Sequence, residues 1–263
     1  MRKYTQKHFL TLRVIPIVLI AIAIKSAFFF FEVPFFELNS YFSTLVAANV
    51  FLLGFLISGV LPDYKEAEKL PAEIAASLDA ILDECRALYA DKKVPAAKAC
   101  IVHTGELAAM LDTWFHEKLR TRKIMAALSE YAELFVALEP HTQANFLARL
   151  KQEVSSIRRM VLRVRNIREI HFTGTAYAVA ELFTILVIIS VLVVDAGSVL
   201  ESLFITGLIA YVLSYMLLLI RDLDNPFDYT HNPHLSDEIA IAPLGAVAGN
   251  IKKVLDSLAK KTK

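Results

Sequence analysis

The segment Phe42–Leu61 reads FSTLVAANVFLLGFLISGVL. It carries no charge and matches the roughly 20 residues that a helix needs to cross a bilayer's hydrocarbon core. Three further runs of the same kind lie at 14–31, 172–194 and 199–220. The connections 32–41 and 195–198 hold no Lys or Arg, and Lys25 is the one cation inside a run among the chain's 28 Lys and Arg. All the others fall in the amino-terminal segment, the middle block 62–170, the tail, or at Arg221 just before it. This is the positive-inside pattern of a four-span protein with both termini cytoplasmic; the expected location is the plasma (inner) membrane. The expected fold is an all-α membrane protein: a first transmembrane hairpin over 1–61, a cytoplasmic helical block over 62–170, a second hairpin over 171–221 and a cytoplasmic tail over 222–263.

Composition agrees. The chain is 56% hydrophobic with a mean hydropathy of +0.50, too apolar for an ordinary soluble domain. A net charge of +1 excludes nucleic-acid binding by bulk electrostatics. Cys85 and Cys100 match no CxxC spacing and read as small buried apolar residues, since a disulfide is not expected in a reducing compartment. Arg2, Lys3, Lys7 and Arg13 precede the first run as in a signal peptide. Bulky residues follow Ala27–Phe31 where a small-residue cleavage site would stand, so the reading is a retained helix.

The middle block is helical in period, with Pro71, Pro95 and Pro140 as punctuation, and predicts helices at 71–91, 95–118, 120–138 and 141–170. Ile74, Leu78, Ile81, Leu82, Cys85 and Leu88 form one apolar stripe. Phe146, Leu150, Val154, Ile157, Val161, Val164 and Ile167 form another, in a helix that is expected to continue through His171-Phe172 into the third run. Residues 243–258 form a short amphipathic helix, and Lys260, Lys261 and Lys263 a solvated or headgroup-facing end.

Four sets of residues are candidates for function. Ala47, Phe51 and Phe55 recur at i, i+4 and i+8 on one face of the second run. They either pack in a bundle or, in a ring of subunits, form an apolar constriction that gates by dewetting and presents positively polarised ring edges to an anion. Asn49 is an amide in an apolar helix, suited to an interhelical hydrogen bond. Lys25 and Glu181 are intramembrane charges at similar counted depth. They pair or share a cavity, or else Lys25 snorkels outward and Glu181 lies nearer the cytoplasmic edge. Arg158 and Arg165, seven apart, share a face that either lines a basic cytoplasmic vestibule or is solvated or bound to anionic lipid. His231 and His234 have too little ligand pattern around them for a metal site. No Walker loop, GxSxG, HExxH or dinucleotide fingerprint occurs, so neither an enzyme nor a cofactor is expected.

Two spans, a helical block, two more spans and the turn Asp222, Leu223, Asp224, Asn225, Pro226, Phe227 resemble the bestrophin-like anion channels. The ending Leu223–Phe227 looks like that of a smaller, largely prokaryotic bestrophin-related family, and Phe51-Leu52-Leu53-Gly54-Phe55 is similar to the bestrophin pore-neck segment. The resemblance implies a homo-oligomer, a pentamer about one central pore, conducting anions such as chloride. Ala47, Phe51 and Phe55 would then ring the neck, with Ala47 making the outermost ring wide or absent. It implies that the Asp222–Phe227 turn locks the fourth span to the cytoplasmic body. Asp228-Tyr229-Thr230-His231 replaces the acidic run through which animal relatives bind calcium, so calcium gating is not expected. Membrane lipids and permeant anions are the expected partners. A non-conducting scaffold with a partner-binding helical module, and a secondary transporter using Lys25 or Glu181, are the competing readings.

Overall fold

In the computed structural model one helix, Ser40–Lys92, contains both the second run and the first helix expected of the middle block. Residues 9–33, 36–37, 39–116, 118–169, 174–227 and 241–260 are described. The elements are α1 (Phe9–Phe30), β1 (Phe36–Glu37), α2 (Ser40–Lys92), α3 (Pro95–Phe115), α4 (Thr121–Leu138), a 3-10 turn (Glu139–His141), α5 (Ala144–Glu169), α6 (Gly174–Val193), β2 (Val194–Asp195), α7 (Val199–Asp224) and α8 (Ala242–Lys260). The protein is an all-α membrane protein, with α1, α2, α6 and α7 long and apolar enough to cross a bilayer. The two-residue parallel bridge of Phe36 to Val194 and Glu37 to Asp195 is a small addition that sequence periodicity does not reveal.

The chain divides into two units, the first formed by residues up to Tyr64 together with the 171–226 region. Within it, sequence order does not set packing. α1 lies chiefly against α7 and then α6, with no comparable contact to its sequence neighbour α2. Small side chains allow the approach. Ser202, Thr206, Ala210 and Ser214 repeat every fourth residue on α7 and are buried. A Cβ on Gly207 would meet Ile22 Cδ1 at 3.1 Å. Close backbone contact through small residues replaces the hydrophobic drive that lipid removes. A second cluster joins Leu53, Leu56 and Val60 of α2 to Ala180, Val187 and Val191 of α6 and to Leu213, Ile220 and Leu223 of α7.

The second unit holds α3, α4, α5, the later part of α2, Phe227 and α8. Its core contains the expected stripes, including Ile74, Leu78, Ile81, Leu82 and Cys85 from α2 and Leu150, Val154, Ile157, Val161, Val164 and Ile167 from α5. Phe146, expected to join them, is 43% exposed, and the adjacent Leu147 is the residue of the first turn of α5 buried in the core. Pro71 is not near a helix start, as its missing N–H suggested. α2 runs through both Pro62 and Pro71. Ala67, Leu70, Ile74 and Leu78 are buried on either side of Pro71, and that packing outweighs the roughly 3 kcal/mol local penalty of an interior proline. α3 stops at Phe115, short of the expected 118, and α5 begins at Ala144 because Glu139–His141 close a 3-10 turn instead. α8 packs its Leu244, Val247, Ile251 and Val254 face into this core. Cys85 and Cys100 are buried and unbridged. Pro34, His171-Phe172, Asp228–His231, His234, Lys261 and Lys263 lie outside the described residues.

Candidate functional site

α2 has two faces in the first unit. Leu53 (0% exposed), Leu56 and Val60 point into the bundle. Ala47, Phe51 and Phe55 are on the opposite side and exposed, Phe51 by 77% and Phe55 by 63%. The rings therefore do not pack in this chain's own core. Gly54 lies on the same side, with open space where a Cβ would stand. Asn49 is fully buried and takes an interhelical partner. Its Nδ2 donates to Thr184 Oγ1 at 3.2 Å, and that hydroxyl lies 3.4 Å from Asn49 Oδ1. Sequence reading found Asn49 but missed Thr184. The available signal was a lone hydroxyl in the seam Ala180, Thr184, Val187, Val191.

Lys25 and Glu181 do not pair. Lys25 is fully buried. Its ammonium donates to Val191 O and Leu192 O, both at 3.1 Å, and to Val194 O. The last carbonyls of a helix have no partner within it, so Lys25 reaches from α1 to cap α6 beside the β1–β2 bridge. Glu181 instead accepts from Arg221 Nη2 at 2.6 Å. Nearby, Tyr177 Oη donates to Ile220 O at 3.0 Å. Val191 and Glu181 are ten residues, about 15 Å, apart along α6, so the two charges serve opposite ends of the bundle.

Arg158 and Arg165 lie about 10 Å apart on α5. Arg158 donates to Ser129 Oγ of α4 at 3.2 Å. Arg165 donates to Glu169 Oε1 at 2.8 Å and holds that carboxyl below its usual range. Both cations thus have local partners. The basic residue with the richest environment is Arg168, which the sequence reading passed over. It donates to Phe115 O at 2.8 Å and Trp114 O at 3.3 Å. Its guanidinium carbon is 4.9, 5.6 and 5.5 Å from the ring centroids of Trp114, Phe115 and Phe227. Phe227, the last residue of the conspicuous turn, is fully buried in that cage. Asp222, Asp224 and Asn225 are half-buried and Pro226 is buried, with α7 ending at Asp224. The adjacent aromatics Trp114-Phe115 near an arginine-rich helix were the legible hint.

Among the described residues no group of three or more His, Cys, Asp or Glu is placed to hold a metal ion. These features define a helical membrane protein whose second span exposes an aromatic face. No protein-family model matches the sequence, and no curated protein matches it. Solved structures match the fold. The chain is similar to a variant of a bacterial bestrophin homologue from Klebsiella pneumoniae, with a TM-score of 0.72 at 13% identity over 94% of this chain and 97% of that one. Two further structures of a bacterial bestrophin homologue from Klebsiella pneumoniae give a TM-score of 0.70 at 14% identity. One alignment covers 97% of this chain and 99% of that one, and the other 94% and 96%. The fold of this protein is the fold of the bacterial bestrophin homologues.

Proposed function

We propose that the protein is an oligomeric ion channel, conducting anions such as chloride, with the second span lining a central neck. The fold shared with bestrophin homologues supports the class. The observation that carries the neck is the composition of α2's exposed face. The large side chains that the other membrane helices turn outward are mostly aliphatic, among them Leu12, Leu19 and Ile20 on α1, Leu182, Ile185 and Ile189 on α6, and Leu200 and Leu208 on α7, with Phe30 at the end of α1 and Phe204 on α7 as aromatic exceptions. Between Ala47 and Gly59, α2 turns out Ala47, Ala48, Val50, Phe51, Gly54, Phe55, Ser58 and Gly59. Small and hydroxyl-bearing positions interleaved with two phenylalanines suit a close helix ring around a narrow path better than they suit acyl chains. Successive positions Ala47, Phe51 and Phe55 are about 6 Å apart along the helix, so three rings would span about 12 Å.

In this reading five copies surround one axis, Phe51 and Phe55 form the constriction, and Ala47 leaves the outer ring wide. Aromatic edges at the constriction favour an anion over a cation. The reading does not lean on a basic vestibule at Arg158 and Arg165, whose charges are engaged locally. Nor does it require chemistry: the channel reading needs no nucleophile, metal or cofactor.

The test is reconstitution of the purified protein into planar bilayers under a chloride gradient. Currents reversing toward the chloride equilibrium potential are expected. Reversal toward the cation potential would overturn anion selectivity, and silent bilayers would favour the scaffold. Phe51→Ala with Phe55→Ala is expected to raise unitary conductance or loosen gating, and unchanged unitary currents would remove the neck assignment.

A further inference from the structure

The contact between α2 and α6 is apolar at every level but one. α2 contributes Asn49, Leu53, Leu56 and Val60, at i, i+4, i+7 and i+11, and all are buried. α6 contributes Ala180, Thr184, Val187 and Val191 at the same intervals, also buried. The helices run antiparallel, because α2 starts just after β1, α6 ends at β2, and β1 pairs with β2. With Asn49 bonded to Thr184, Leu53 is level with Ala180 and Val46 with Val187.

An aliphatic seam in lipid specifies its own register poorly. Association there brings no hydrophobic gain, and Leu, Val and Ala accept one another one turn up or down. A one-turn slip moves α2 by about 5.4 Å, and a one-residue rotation turns it by about 100°. Either motion carries Phe51 and Phe55 with it. The polar pair is the exception, since a slipped Asn49 amide meets only aliphatic chains. The same physics lets one buried asparagine at a core position fix coiled-coil register. Asn49 also stands about 200° around the helix from Phe51, so the seam it fixes is opposite the aromatic face.

We propose that Asn49 and Thr184 form the register lock of the second span. They are positioning residues: they touch no ion, and they hold α2 at the height and rotation that turn Ala47, Phe51 and Phe55 out of the bundle. The consequence for conduction rests on the neck reading above; the lock itself does not.

Disulfide mapping in the full-length protein in liposomes separates the two. The pair Leu53→Cys with Ala180→Cys reports the observed register, and Leu53→Cys with Ala176→Cys reports a one-turn slip. With Asn49 and Thr184 intact, or with Thr184→Ser, which keeps the hydroxyl, only the first pair is expected to cross-link. Asn49→Leu and Thr184→Val are expected to raise the slipped product about 5- to 30-fold relative to the in-register one. Thr184→Val keeps the side-chain shape and carries the test if Asn49→Leu does not fold. In-register product alone in both disrupted backgrounds overturns the lock. Slip accompanied by altered open-state dwell times, rescued by Thr184→Ser, supports both ideas. Slip with unaltered currents, or in a protein that does not conduct, leaves the lock standing and removes the neck reading.

Discussion

Replacing Lys25 with Met removes a fully buried cation of the membrane unit while keeping a side chain of similar length. The ammonium has three N–H donors and three carbonyl acceptors, from Val191, Leu192 and Val194, so its hydrogen bonding is complete. Two of these acceptors are helix-end carbonyls that α6 cannot satisfy itself, and a cation at a helix C-terminus is further favoured by the dipole. A thioether donates nothing. With a net value near 1 kcal/mol per lost bond, the substitution should cost about 3 kcal/mol, because returning the lysine to water in the unfolded state offsets the larger gross energy. The assay is equilibrium unfolding of the detergent-solubilised protein by a denaturing detergent, followed by helical signal. Glu181→Gln is the control. Its partner is Arg221 of α7, toward the other end of the bundle, so Lys25→Met and Glu181→Gln should add within about 0.5 kcal/mol. A cost below about 1 kcal/mol for Lys25→Met would show that water reaches these carbonyls and the cap is dispensable. Coupling above about 1 kcal/mol between Lys25 and Glu181 would refute the assignment of the two charges to separate ends.

Arg168→Lys keeps the charge but loses the fork that reaches both Trp114 O and Phe115 O and the flat face between three rings, so it should lower stability by about 1–3 kcal/mol, and Arg168→Ala by more. Thermal melts followed by Trp114 fluorescence report it, and a silent Arg168→Lys would mean that the stacking carries no energy. The Arg163 hydrogen bond at 2.8 Å holds Glu66 below its ordinary 4.5. A depressed carboxyl adds stability above that ordinary value, and the contribution is lost as pH falls through the depressed one. Because the two side chains are 41% and 46% exposed, the contribution is under about 1 kcal/mol. Glu66→Gln should therefore flatten the acid limb of the stability curve slightly. Parallel curves for the two proteins between about pH 5 and 3 would dismiss the pair as an acid-sensitive contact.

Several features were readable from the chain because the solvent leaves few choices. Backbone groups in hydrocarbon must bond internally, so long apolar runs become helices whatever else they do. An i, i+4, i+8 pattern then places Ala47, Phe51 and Phe55 on one side without any tertiary knowledge. Pro71 misled because proline signals act locally, whereas the continuity of α2 there is decided by Ala67, Leu70 and Ile74, buried along the helix around it. Arg168 was hidden for a related reason: two of its partners are backbone carbonyls, and Phe227 comes from a distant part of the chain.

The misplaced pair of charges shows most clearly where counting fails. Apolar runs start where charges stop, at 14 and 172, and from those points Lys25 and Glu181 sit at nearly equal depth. The two helices share no such origin: Lys25 of α1 lies level with Val191 and Leu192 of α6. Glu181 is ten residues from Val191 along α6, about 15 Å, or half the hydrocarbon thickness. Lys25 therefore meets the end of α6 while Glu181 meets the end of α7, where Arg221 waits. Helical phase survives such an error, since periodicity is internal to a helix; depth does not, since it needs a common origin for two helices. The aromatic face of α2 is a statement of phase and stood in the structure. The lysine–glutamate pair was a statement of depth and did not. The Asn49–Thr184 bond fixes depth and phase together between α2 and α6, which is why disturbing it is the sharpest way to ask whether the position of Phe51 and Phe55 matters.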